Sequence, residues 1–347
     1  MRHVFHALAL GSALCGVTTG PSAAQEIANV QKLGPFVGTC MASAVVTYPT
    51  GTVDQFMIVG NDEKNVLQTY RVTGGESKVL KAANINPFLG LDDAAGKGKA
   101  DIEAATTLDG QAIWIGSHSR NSEGELRPAR GQLFSTAIVL EEGVPVAKPS
   151  QKVPQNRLLE AFAALDPLRD IIALHDHKNA DKAAKKQGFN IEGLSLGEDG
   201  TSLVVGLRGP LSDNKAYVLT ISDAAGLLRT GSLAPGAVKL RTTLTFAAGK
   251  GIRSMEYAPA RKAFFVIAGS SGPDDDRPAF DLYLWDGGSG PPTLIPGLRD
   301  RIEAAGLPRF QPEALAVDST GTRLLVLSDD ENRCKDDAFN GVLVTLK

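Results

Sequence analysis

Cysteine is scarce in this sequence, with 3 among 347 residues. No charge of one sign dominates either, since 36 Lys and Arg stand against 39 Asp and Glu for a formal net charge of -3. That balance offers no basic face to a phosphate backbone, so a nucleic-acid partner is excluded from the reading. Beyond the first residues no apolar run approaches the roughly 20 residues that a membrane-spanning helix needs. What the chain does have is turn chemistry: Gly 37 and Pro 19, with a 43% hydrophobic share, fit a single large all-β domain.

Arg2 and His3 precede an apolar run from Val4 to Val17, and Ser22-Ala23-Ala24 offers a small-residue cleavage site before Gln25. Residues 1–24 are therefore predicted to be a secretory signal peptide, with residues 25–347 as one exported domain, periplasmic or secreted. Leu14 before Cys15 does not fit a lipoprotein site, so no lipid anchor is expected. Export leaves Cys40 and Cys334, and an oxidising compartment predicts a disulfide joining the two ends of the chain.

Five segments share one pattern: a short apolar strand, a tight turn, a second apolar strand, and a polar or Gly-rich end. The clearest is Asn190 to Pro210, with its Asp199-Gly200 turn and its buried run Leu203-Val204-Val205. The others begin near Ala42, Asp101, Met255 and Pro312, and each is followed by a third and often a fourth candidate strand. Four antiparallel strands repeated around a ring is the β-propeller plan. Five blades are predicted, with six or seven if a helical insertion around 155–188 hides further strands. Ile27 to Leu33 is expected to complete the last blade and so join the chain ends. Arg299 to Gly306 reads as a small helix before that blade.

In an antiparallel hairpin the start of the first strand and the end of the second lie together. If the first strands line the channel, Glu103, Glu192, Glu256 and Glu313 converge at one mouth. Asp62, His118, Arg208, Ser270 and Asp329 arrive there from the second strands, with Arg120 and Arg253 close by. Carboxylates so gathered bind a hard cation, pair with arginine, or share protons. The bland reading is that each Glu ties neighbouring blades together through Arg or backbone N–H groups.

Other signals are weaker. His175-Asp176-His177 has no third ligand nearby and reads as a solvated loop. Asp274-Asp275-Asp276 lacks the spaced ligands of a helix-loop-helix calcium site. Trp114 and Trp285 lie in apolar strands, where packing is the expected role.

Several stretches together resemble a known family. These are Asp101-Ile-Glu103 with Gly-Ser-His-Ser-Arg120, Asn190-Ile-Glu-Gly-Leu194 with Gly-Leu-Arg208, Gly251-Ile-Arg253, and Pro-Glu-Ala-Leu315 with Ser-Asp-Asp330. They are similar to domain-of-unknown-function family 3616, a group of uncharacterised secreted bacterial proteins. Members of that family often carry Asp before Ala-Ser-Ala, where this chain has Met41. More remotely, the Glu-Gly-Leu and Pro-Glu-Ala turns resemble phytase-like and lactonase-like propellers, some of which hold calcium in the channel and hydrolyse phosphoesters or lactones.

Three function classes follow. The first is a monomeric binding propeller whose mouth takes a small ligand, peptide or cation. The second is a calcium-assisted hydrolase, with Glu103, Glu192, Glu256 and Glu313 as metal ligands and His118 or a free carboxylate as base. There Arg120, Arg208 and Arg253 would hold an anionic substrate. The third is a structural or interaction propeller with an inert channel.

Overall fold

A computed structural model describes residues 25–92, 98–247, 249–272, 279–330 and 337–347. The leader at 1–24, the acidic run Asp274 to Asp276 and Cys334 lie outside them.

The chain opens with β1 (Ile27–Val37) and then builds blade one from β2 (Ala44–Tyr48), β3 (Phe56–Gly60), β4 (Val66–Arg71) and, after the short β5 (Ser77–Lys78), β6 (Lys81–Asn84). A turn of helix, α1 (Asn86–Leu89), leads to blade two: β7 (Ile102–Leu108), β8 (Gln111–Gly116), β9 (Leu133–Glu141) and β10 (Val144–Lys152). Helices α2 (Arg157–Ala163) and α3 (Asp166–Ile172) and two 3-10 turns follow. Blade three comprises β11 (Asn190–Leu196), β12 (Leu203–Ser212), β13 (Lys215–Ile221) and, after α4 (Ala224–Thr230), β14 (Val238–Thr245). Blade four comprises β15 (Lys250–Ala258), β16 (Ala263–Ser270), β17 (Asp281–Trp285) and β18 (Thr293–Ile295). Helix α5 (Leu298–Ala304) precedes β19 (Pro312–Val317), β20 (Arg323–Ser328) and β21 (Ala338–Leu346) of blade five.

The innermost strands touch in the cycle β2, β7, β11, β15, β19 and back to β2, so the protein is a closed five-bladed β-propeller. Closure comes from β1, which pairs antiparallel with β21 from Ile27 opposite Leu346 to Val37 opposite Ala338. β5 adds a short parallel edge to that blade. The sequence places the fourth strand of blade one at Ser77 to Lys81. In the fold Ser77 and Lys78 serve blade five, and Lys81–Asn84 fills that place.

Each blade is covered on both faces by its neighbours, which is why its strands carry continuous apolar runs instead of an in/out alternation. Five buried clusters fill the gaps between blades. One holds Ile113, Ile191 and Val205 between blades two and three, and another holds Val204, Ile252 and Phe264 between blades three and four. The insertion packs into the first of these through Leu158, Phe162, Leu168 and Ile172. Turns follow local chemistry. Asp109 and Gly110 both have positive φ, 50° and 74°, as a two-residue hairpin loop requires. The Asp199 carboxylate accepts the N–H groups of Thr201 and Ser202 at 2.9 and 2.8 Å.

Candidate functional site

Four of the five innermost strands share a register shift near their start. The extra residue is Glu103 in β7, Glu192 in β11, Arg253 in β15 and Glu313 in β19. A bulge bends the strand and re-aims its side chain, and here the bulges occur at the same end of the channel. In blade one Ser43 precedes the corresponding pair, Ala44 opposite Gly60, and its hydroxyl is buried. Arg253 therefore takes the position in blade four that the sequence gives to Glu256.

These residues open into a funnel of about 460 Å³. Glu103, Glu192 and Glu313 line it with Asp62, Asp101 and Asp329, and Arg208 and Arg130 add guanidinium groups. No aromatic side chain is among its lining residues. The insertion supplies part of the rim through Ala183 to Lys186.

The carboxylates are not equivalent. Glu192 accepts Asn190 Nδ2 at 2.9 Å and Arg208 Nη1 at 2.8 Å, and its other oxygen lies 3.2 Å from Arg253 Nε. Arg253 then reaches Glu313 with Nη2. The result is a buried Glu-Arg-Glu bridge across blades three, four and five. Arg208 also donates to the carbonyls of Ser270, at 3.0 Å, and Gly272, at 2.8 Å. Gly251 makes this approach possible, because a Cβ there would fall 1.9 Å from the Arg208 carbonyl oxygen. For Glu192 and Glu313 the blade-tying role is thus the observed one.

Asp101, with φ of 53°, accepts from the Ser117 hydroxyl and lies 3.1 Å from Arg130 Nη1. Burial raises its carboxyl, while Arg130 and Ser117 draw it back. Glu103 differs: among the described residues no hydrogen bond or ion pair engages it. Burial pushes its carboxyl well above the ordinary range, reinforced by Asp101, Glu192, Asp62 and Glu313. Burial raises the Glu313 carboxyl too, against the pull of Arg253.

Two expected members are elsewhere, and a third is committed to another task. Glu256 lies three residues beyond the bulge and lines a cavity at the opposite end of the channel. Strand β15 starts at Lys250, before the position where the repeat pattern begins it, and this displaces Glu256 from the funnel. His118 does not line the funnel. It lies beneath α2 with its ring centroid 6.0 Å from that of Phe162, and its Nδ1 is 2.9 Å from the Gly116 carbonyl. Burial lowers it to about 4, so it is neutral at pH 7 but turned away from the cavity. Arg120 touches the funnel wall, yet its guanidinium donates to the carbonyls of Gly124, Ile172, Ala173 and Asp176 and so anchors the C-terminus of α3. Asp62, Arg208 and Asp329 do line the funnel as predicted.

The donor set does not fit the calcium arrangement drawn from the sequence. Glu256 is at the wrong end, and Glu192 and Glu313 already face guanidinium groups. Among the described residues no three Asp, Glu, His or Cys side chains are grouped to hold a metal ion. Asp101, Arg130, Asn190 and the Lys185-Lys186 rim are site residues that the sequence reading missed. Asp101 and Asn190 each stand immediately ahead of a repeated Ile-Glu, a signal that was available; the rim residues carry none.

Fold and funnel together define a class: five-bladed propellers with a charged mouth built on bulged inner strands. The family described as "Protein of unknown function (DUF3616)" matches residues 145–289, which bears out the resemblance over the middle of the chain. No curated protein matches the sequence. Among solved structures the chain is similar to a thermostable family-43 glycoside hydrolase, at 10% identity over 92% of this chain and 90% of that one, with a TM-score of 0.40. It is similar to the Bacillus subtilis arabinanase Arb43A at 9% identity over 90% and 95%, with a TM-score of 0.43. A Bacteroides uniformis protein assigned as a 6-phosphogluconolactonase gives 11% identity over 87% and 66%, with a TM-score of 0.35.

Proposed function

We propose that the protein is an exported ligand-binding propeller whose funnel takes a small polar solute or cation against Glu103. The observation that carries this reading is a carboxyl at the centre of a polar cavity with no hydrogen bond or ion pair among the described residues, ringed by others that have theirs. An anionic solute is disfavoured, because Arg120, Arg208 and Arg253 are already spent on carbonyls and carboxylates. The leader-like residues 1–24 support export, and the expected Cys40 to Cys334 bridge suits the same compartment.

A second reading, hydrolysis of phosphoesters or lactones, is favoured by one feature. A carboxyl pushed upward by burial beside the salt-bridged Glu192 is the pattern of a general acid with a charged neighbour. Glu103 would then donate the proton to the leaving group.

A thermal-shift series with calcium, magnesium, zinc, EDTA, small amines and polyols tests the binding reading. A ligand present at 100 times its Kd stabilises the native state by about 2.7 kcal/mol. Glu103→Gln should remove the shift, and a shift that survives this change would move the site out of the funnel. Turnover of aryl phosphate or lactone probes that Glu103→Gln abolishes would establish the second reading.

A further inference from the structure

The opposite end of the channel holds a different kind of cavity. It measures about 360 Å³, within the range of small-molecule sites, and its walls include Val45, Val46, Leu196, Tyr257, Ala316 and Val317. Two ionisable carboxyls border it. That of Asp318 is committed to its own turn, accepting the Thr320 hydroxyl and the N–H groups of Thr322 and Arg323. The other is Glu256.

The position of Glu256 departs from its counterparts. Three residues beyond the bulge, Thr106 in β7 accepts the Leu196 N–H of the next blade at 3.1 Å, and Ser195 in β11 accepts the Tyr257 N–H at 2.8 Å. These small hydroxyls cap free backbone donors from blade to blade. β19 places Ala316 at the same step. In β15 the residue is Glu256, which caps no such donor. It reaches past blade three, and its Oε1 accepts the Thr106 hydroxyl of blade two at 3.4 Å. A carboxyl has been set among small and apolar side chains, with one long hydrogen bond to hold it. Burial raises it to about 8, with the Thr106 hydroxyl opposing, and no charged group contributes.

We propose that this cavity is a second binding site, separate from the funnel, for a small amphipathic amine whose ammonium group pairs with Glu256 and whose apolar body fills the walls. The complementarity is direct. An acid left uncommitted in a largely apolar cavity gains most from a cation that brings its own hydrophobic cover. Binding of the ammonium form to the protonated carboxyl releases one proton to solvent and leaves a carboxylate-ammonium pair, so charge and protons balance. The site does not depend on Glu103.

Isothermal titration of the full chain at pH 7 tests the proposal, with phenethylammonium as probe and 2-phenylethanol as its neutral counterpart. Two non-amine buffers of different ionisation enthalpy would report the proton. The expected result is cation binding at least tenfold tighter than the alcohol, with up to one proton released. Glu256→Gln should erase that preference, and Ala316→Leu should block the cavity. Circular dichroism confirms that each variant is folded. Equal affinity for cation and alcohol, the absence of saturable binding, or a cation preference retained in Glu256→Gln would each overturn the proposal. Loss of binding in Glu103→Gln alone would assign the amine to the funnel instead, and would equally overturn it.

Discussion

Arg253 shows how one side chain can serve several blades. Its guanidinium bridges the buried carboxyls of Glu192 and Glu313, with side-chain exposures of 5%, 3% and 8%. Removing one partner from such a bridge leaves charges without compensation and typically costs about 3–5 kcal/mol. Arg253→Ala should therefore lower the urea midpoint strongly, and adding Glu313→Gln should restore part of the loss. Glu256 gives a prediction of the opposite kind. Its folded-state value of about 8 lies above the ordinary 4.5, so the unfolded chain ionises first as pH rises. Stability from this group is then whole below about pH 4.5 and is lost as pH climbs toward 8, at no more than about 1.4 kcal/mol per pH unit. Urea unfolding at pH 5, 6, 7 and 8 should show a shallower decline in Glu256→Gln than in the parent protein.

At the scale of the element, the bulges decide which residues meet. Reading inward from the sequence, Ile102-Glu103-Ala104, Ile191-Glu192-Gly193, Ile252-Arg253-Ser254 and Pro312-Glu313-Ala314 are one repeated step. The choice of Glu256 followed residue type at the expense of that spacing, because Gly249 to Gly251 resembles a loop; in the fold it includes the start of β15. Gly251 is needed there for clearance. Gly251→Ala should push β15 off Arg208, destabilise the protein, and weaken any funnel ligand, as checked by denaturation and by the thermal shift. β10 escaped the sequence reading for another reason. Pro145 and Pro149 argue against a strand, yet β10 is an edge strand, where proline is tolerated and a register shift follows Pro149. Helix α4 was missed as well, since its seven residues follow a left-handed Asp223 and offer no long amphipathic period.

For the whole molecule, the ring is closed by the pairing of its two ends. β1 brings the first described residues onto the last strand, and the Lys347 N–H donates to the Glu26 carbonyl at 2.9 Å. Cys40 and its neighbour Gly38 bond to the described residues that flank its expected partner in sequence: the Cys40 carbonyl accepts the Asp330 N–H at 2.9 Å, and the Gly38 N–H donates to the Asp337 carbonyl at 2.7 Å. A Cys40 to Cys334 bridge would reinforce this seam. Non-reducing peptide mapping of the protein purified without reductant should find the linked pair, and reduction should cost about 2–4 kcal/mol. Recovery of both cysteines as free thiols would remove the bridge from the account.

The sequence by itself determined the repeat and the joining of the ends, because apolar runs and tight turns are local signals that recur at each blade; the structure settled on five blades by showing that the insertion adds helices and no strands. The sequence also determined that Glu103, Glu192 and Glu313 share one opening, since hairpin direction follows from chain order. Only the tertiary structure decided which carboxyl stays without a partner and which is bound to arginine. Those pairings depend on distances of a few ångströms between blades, on bulge register, and on an insertion whose rim contacts leave no periodic trace in the chain. The same packing sends Glu256 to the far end of the channel, where burial changes its chemistry.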